Sequence, residues 1–198
     1  DAVPLLEDAA AKVLGDLRHR FPGQFLHSNF NPGDLKTVEK ATGKMIYDYG
    51  GDPSYIVDLA RGRIFVDSLG EIEAVRAYLA SSHALQIERT KDRFAKPNDT
   101  HVRDIKLDVR MPNGHIVELR FEHRAFSRAA AKTHDLYDEA IKIRHTVLAE
   151  DRRMTPDEEF RVRAITDHVQ DIHDEAARAT SVDALLSQEG KDLLQDHA

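Results

Sequence analysis

Apolar residues at Val3, Leu6, Ala10, Val13 and Leu17 recur every three or four positions, the period of a helix with one buried face. Pro22-Gly23 ends that pattern, and after the turn signal Asn31-Pro32-Gly33 a second helix is predicted over Asp34 to Tyr47, with Asp34 as its cap. Gly50-Gly51-Asp52-Pro53 then breaks the chain. Beyond it the period falls to two. Ile64-Phe65-Val66 is a short apolar run bounded by charge, Leu85 to Arg89 alternates weakly, and Ile105, Leu107, Val109 and Met111 alternate with polar residues; these segments predict strands. Pro112-Asn113-Gly114 links the last of them to His115 through His123, a hairpin with an Asn-Gly turn. On its second strand Ile116, Glu118, Arg120 and Glu122 face one way, and Val117, Leu119 and Phe121 the other. Between the strands, Ile72, Val75 and Leu79 predict an exposed helix from Leu69 to Ala80 that crosses back over the sheet.

The last third returns to the helical period. Phe126, Ala130, Tyr137, Ile141 and Leu148 track one face from Ala125 to Ala149. Thr155-Pro156-Asp157-Glu158 then combines a Thr cap, Pro at the first helical position and an acid three residues after the cap. Val162, Ile165, Val169, Ile172 and Ala176 carry that helix to about residue 179. The order predicts an α+β fold, a mixed and mostly antiparallel sheet of about five strands flanked by helices. Residues 1–150 form its body, and residues 151–198 are expected to be a C-terminal helical extension packed on it.

Composition narrows the function classes. The 198 residues are 41% hydrophobic and 32% charged, enough to bury the core of one ordinary domain and outside the disordered and collagen-like classes. No apolar run approaches the ~20 residues of a membrane span, so no membrane partner is expected. The absence of Cys excludes disulfides, a thiolate nucleophile and a Cys-rich zinc site. A net charge of −7, from 28 Lys+Arg against 35 Asp+Glu, argues against binding of duplex nucleic acid. Among the 11 His there is no HExxH, and His168 and His173 are five apart, off a common helical face. The phosphate-binding GxxxxGK[ST] loop, the dinucleotide GxGxxG and the GxSxG elbow are also absent. The first residue is Asp1 rather than Met, which reads as a processed piece of a longer protein.

Within these limits a few groupings can carry chemistry. Asp58 stands before a Gly-containing turn, and Arg63 leads into a strand; a carboxylate at a strand edge can hold Mg²⁺, and an Arg beside it can take phosphate oxygens. Lys36, Lys40 and Lys44 recur every four residues, which on a helix aligns three ammonium groups on one face, suited to a polyanion such as a triphosphate. Glu118 lies mid-strand in the hairpin with Arg103 and Lys106 on the paired strand, a place for a metal ligand or general base. Each grouping also has a bland reading, as a solvated charged surface.

In this order the pieces resemble the synthetase domain of the RelA/SpoT family, the alarmone pyrophosphokinases, over about residues 30 to 145. Lys36 and Lys44 fit the ends of the family's K-x-x-x-S-x-x-x-K, with Lys40 in place of Ser. Asp58 and Arg63 fit D-x-x-G-x-R, with the Gly one place late at Gly62. Lys91-Asp92 and His101-Val102-Arg103 stand where the family has Lys-Asp and Gly-Tyr-Arg. Gly114 and Glu118-Leu119-Arg120 stand for its Gly turn and E-I-Q, and Lys132, His134 and Tyr137 match K-x-H-x-x-Y.

The resemblance implies that residues 1–150 are a synthetase domain transferring the β,γ-diphosphate of ATP to the 3′-hydroxyl of an acceptor nucleotide, with Mg²⁺ as cofactor. Asp58 and Glu118 would hold the metal, with Glu118 activating the hydroxyl. Lys36, Lys40, Lys44 and Arg63 would bind the donor phosphates. Arg103, His101, Val102, His134 and Tyr137 would line the acceptor site. Val102 replaces the ring on which the family's acceptor base rests, which points to an adenine nucleotide (ADP, ATP or AMP) rather than a guanine one. With no hydrolase region present, the implied role is a bacterial toxin that depletes ATP. It would be a secreted or injected effector of the type VI kind, acting in the target-cell cytoplasm, or alternatively a cytoplasmic protein, with a neutralising immunity or antitoxin protein as partner. Other readings stay open: a guanine alarmone synthetase, a metal-dependent nuclease using Asp104 or Asp108 with Glu118 and Arg120, and a catalytically silent partner-binding module.

Overall fold

The computed structural model describes residues 2–181; residues 182–198 of the expected C-terminal extension lie outside them. Five strands, β1 (Asn29–Pro32), β2 (Arg61–Val66), β3 (Gln86–Asp92), β4 (Ile105–Arg110) and β5 (Ile116–His123), form one sheet in the order β1-β2-β5-β4-β3. β2 and β5 run parallel, because a helix and two strands separate them in sequence, and the remaining pairs are antiparallel. The fold is thus the expected α+β one. The helices are α1 (Val3–Arg20), α2 (Val38–Tyr49), α3 (Leu69–Ser81), α4 (Arg124–Ala149) and α5 (Pro156–Thr180).

One face of the sheet holds the core. Ile64 and Val66 of β2, Leu107 and Val109 of β4, and Leu119 and Phe121 of β5 pack against Leu6, Val13 and Leu17 of α1 and Ile72 and Val75 of α3, all buried. The edge strand β1, Asn-Phe-Asn-Pro, has no alternating signature and is mostly exposed. It is held close through Gly62, where a Cβ would lie 2.4 Å from the Phe30 ring.

Four sequence expectations are corrected. First, α2 starts at Val38 under a Thr37 cap, whose hydroxyl accepts from the Lys40 amide at 3.2 Å. Asp34 is too early to cap it because Pro32 still belongs to β1. Second, the hairpin turn is shifted by one. Pro112 and Asn113 take its centre and Gly114 (φ 84°) follows in the left-handed region, with the Gly114 amide donating to the Met111 carbonyl at 2.8 Å; the fixed φ of Pro suits the first central position. Third, α4 buries Phe126, Ala129, Thr133, Ala140 and Val147 rather than the predicted Ala130, Tyr137, Ile141 and Leu148, because it is wedged between α5 and a cleft, and the predicted stripe faces the cleft as far as Ile141. Fourth, α5 buries Val162, Ile165, Val169, His173 and Ala177, so His173 occupies the core-facing place assigned to Ile172. The capping box of α5 is as expected, with the Thr155 and Glu158 side chains each accepting the other's main-chain N–H.

Candidate active site

The second face of the sheet is charged, and its carboxylates on β4 and β5 are closed to solvent. On β5, Glu118 (1% exposed), Arg120 and Glu122 alternate with the apolar core residues, and Lys106 and Asp108 stand beside them on β4. A carboxylate so buried must be paired. Lys106 Nζ donates to Glu118 Oε2, and Arg120 Nε donates to Oε1 at 2.6 Å. Burial pushes the Glu118 carboxyl up, but Arg120 and Lys106 outweigh it and hold the group below its ordinary value. Asp104 is paired with Arg93 at 2.9 Å, and Asp108 accepts from Arg89 Nε at 2.6 Å.

Asp58 reaches this face from the segment preceding β2. The Glu118 amide donates to the Ala60 carbonyl at 3.0 Å, which sets the Asp58 segment beside Glu118. Lys36 and Lys44 both donate to Asp58 Oδ2, at 2.6 and 2.7 Å. Burial raises the Asp58 carboxyl, yet the two lysines overcome it and bring the group down to about 2. Burial pulls Lys36 down, with Lys44 adding to the pull, whereas for Lys44 the attraction of Asp58 outweighs burial and the amine is raised. The three lysines do not share a helical face as the spacing suggested. Lys36 precedes α2, and Lys40 turns away to Asp138 on α4 at 3.2 Å, with 62% of its side chain exposed.

A cleft of about 990 Å³ opens above these groups, between α2, α4 and α5. Of the residues predicted for the site, Lys36, Lys40, Lys44, Val102, His134 and Tyr137 line it. Glu118 and Asp58 lie beneath, each bonded to a cation that does line it. Three predicted residues are elsewhere. Arg63 lies on the charged face, 3.5 Å from Glu122, without lining the cleft. His101 turns to Asp174 of α5 at 2.8 Å, and with Arg103 it lines a smaller cavity of about 470 Å³. Sequence reasoning missed Arg61, Arg93, Tyr47, His145 and His173, which all line the cleft. Arg61 could have been found, since it stands two residues before Arg63 and so on the same face of the predicted strand; in the sheet its register partner is Glu118.

The carboxylates present could take a magnesium ion. Asp58 Oδ1 is buried without a hydrogen-bond partner while Oδ2 takes both lysines, leaving one oxygen for a cation. No cluster of three or more metal-ligating residues occurs among the described residues, but Mg²⁺ on nucleotides is held by one or two carboxylates plus phosphates.

The fold is that of the small alarmone synthetases of known structure. Among solved structures, the chain is similar to small alarmone synthetase 1 from Bacillus subtilis bound to its product pppGpp, with 16% identity, a TM-score of 0.64 and coverage of 96% of this chain and 93% of that one. It is similar also to a GTP pyrophosphokinase family protein from Streptococcus pneumoniae, with 15% identity, a TM-score of 0.59 and coverage of 97% and 91%. A third likeness is to the type VI effector Tas1, solved with its immunity protein, with 18% identity, a TM-score of 0.56 and coverage of 89% and 93%. No protein-family model matches the sequence, and no curated protein matches it.

Proposed function

We propose that the protein is an ATP-dependent nucleotide 3′-pyrophosphokinase. The observation that carries this reading is the pairing of two buried carboxylates, Asp58 and Glu118, with cations that line an open cleft. Phosphoryl transfer needs positioned positive charge around the moving group more than covalent chemistry. Here Lys36, Lys44, Arg61 and Arg120 supply it. The acceptor 3′-oxygen attacks the β-phosphorus of ATP, the bond from that phosphorus to the α,β-bridging oxygen breaks, AMP leaves with the bridging oxygen, and the hydroxyl proton passes to Glu118. Arg120 and Lys106 keep the proton affinity of Glu118 low, and contacts from Arg120 to the triphosphate would raise it. Asp58, through Oδ1, and Glu118 would hold Mg²⁺, which when bound neutralises phosphate charge.

The acceptor is an adenine nucleotide on this reading. Val102 lines the cleft with no ring to stack on, and His101 is committed to Asp174 outside it. Loss of a stacking partner forfeits ~1–3 kcal/mol per base, which relaxes selectivity for guanine. The likeness to Tas1 supports a toxin that drains ATP in a target cell and is neutralised by an immunity protein. The synthetase bound to pppGpp favours the guanine alternative. Initial rates with ATP and equal ADP or GDP, resolved by anion exchange, decide between them: the ADP rate is expected to equal or exceed the GDP rate, and a GDP rate tenfold higher overturns the adenine assignment.

A further inference from the structure

His173 is a buried titratable residue that the reaction above does not use. It is 1% exposed, and neither ring nitrogen has a hydrogen-bond partner. An unmatched buried polar group costs ~1–3 kcal/mol, a cost that a water, an ion or a ligand seated in the cleft beside it removes. His173 also lines the cleft.

Its surroundings identify the occupant. The loop carrying Asn98, Thr100 and Val102 is tied to α5 on both sides of His173: Gln170 donates to the Asp99 carbonyl at 2.6 Å, and His101 contacts Asp174 at 2.8 Å. Across the cleft wall, α4 packs antiparallel to α5 with Leu136 in the cluster of Val169. One turn further along each helix brings Thr133 level with His173, and both line the cleft. The Thr133 hydroxyl is bonded to the Ala129 carbonyl at 3.1 Å. Asn98, Thr100, Val102 and Thr133 around the ring are small polar or apolar groups; of the four lysines on the cleft, Lys36, Lys40 and Lys44 belong to α2 and the segment before it, Lys142 stands more than two turns along α4 from Thr133, and Arg93 is taken up by Asp104 at 2.9 Å. Such a lining suits a flat heterocycle rather than a phosphate chain. Burial holds His173 below the ordinary histidine value, against an upward pull from Asp174, so the ring is neutral at pH 7. A neutral imidazole has one N–H donor and one acceptor nitrogen, and exchanges them by changing tautomer.

We propose that His173 reads the purine of the acceptor nucleotide: a turn of its ring about the Cβ–Cγ bond presents one nitrogen to the edge of the base. The choice of tautomer lets it donate to a ring nitrogen or the guanine carbonyl, or accept from an exocyclic amine, so it serves adenine and guanine alike. This rests on reading the cleft as a nucleotide-acceptor site.

The test is calorimetric binding of ADP and of GDP to the full chain and to His173→Leu and His173→Gln, with melting temperatures alongside. His173→Leu is expected to weaken both nucleotides about tenfold, ~1.4 kcal/mol, and to melt no lower than the native protein, because an unmatched polar group is replaced by an apolar one. His173→Gln, which keeps a donor and an acceptor, is expected to bind more tightly than the Leu variant. Affinity unchanged within about twofold overturns the proposal, as does failure of the native chain to bind either nucleotide. A fall in melting temperature of more than about 4 °C in the Leu variant assigns the ring to packing and also overturns it. If the native chain binds but forms no product from ATP, the pyrophosphokinase reading fails while the role of His173 is judged by the affinity ratio alone.

Discussion

Along β5, successive residues belong to opposite worlds. Val117, Leu119 and Phe121 are fully buried against the core made by α1 and α3, while Glu118, Arg120 and Glu122 between them join the ion pairs beneath the cleft. The apolar face gains from every area of surface removed from water and has no directional demand. The charged face gains little net stability, since the desolvation of each ion offsets most of its attraction, but it fixes where anions and cations can bind. One strand therefore serves stability at one set of positions and, on the proposed function, chemistry at the alternate set, and substitutions can separate the two.

The largest separation is expected at Glu118. Glu118→Gln is close in shape but cannot take a proton or carry the charge that Arg120 and Lys106 match; turnover should fall at least about 100-fold, with the far-UV circular dichroism spectrum retained. A mutant keeping more than about a tenth of native turnover, a loss under ~1.4 kcal/mol, removes Glu118 from the reaction. Its neighbour is the converse. Leu119→Ala should cost ~2–5 kcal/mol of unfolding free energy in urea titration, with the turnover of the folded fraction unchanged.

How far each face was legible follows from the same contrast. The apolar face announced itself, since Ile105, Leu107 and Val109 and then Val117, Leu119 and Phe121 alternate with polar residues and carry the period of two. The capped start of α5 was readable because Thr155, Pro156 and Glu158 interact within one turn. What the sequence could not disclose is set by distant partners. Lys36, Lys40 and Lys44 have identical spacing, yet Lys36, outside α2, and Lys44 converge on Asp58, while Lys40 is taken up by Asp138 of α4, 98 residues on. His101 stands in the segment that should line the acceptor site, but Asp174, 73 residues on, turns it away. β1 has no periodic signal, since an exposed edge strand needs none.

Smaller effects sharpen the contrast within the charged groups. Asp58 titrates near 2 in the folded chain against an ordinary 3.8. Because its folded value is depressed, the stability it contributes is complete above 3.8 and is lost as pH falls through about 2. That contribution is about 2 kcal/mol by linkage for the buried carboxylate. Urea titrations between pH 5 and pH 2 should therefore show a steeper loss for the native chain than for Asp58→Asn. The smallest effect belongs to Lys40, whose pair with Asp138 is exposed on both sides; Lys40→Ala should change unfolding free energy by less than about 0.5 kcal/mol. A larger change would make that pair a structural strut.

α2 contributes Lys40, Lys44 and Tyr47 to the cleft, yet none of its residues is buried. It rejoins the chain through Gly50 and Gly51, both at positive φ. Its attachments are side-chain tips, among them Lys44 on Asp58, Lys40 on Asp138, Tyr47 against His145 with ring centres 4.7 Å apart and planes tilted by 30°, and Asp48 3.5 Å from the same His145. An element secured in this way opens at a free energy far below that of the whole molecule. In hydrogen exchange the amides of α2 should lose protection long before those of β5, so that one wall of the cleft opens while the sheet beneath it stays folded.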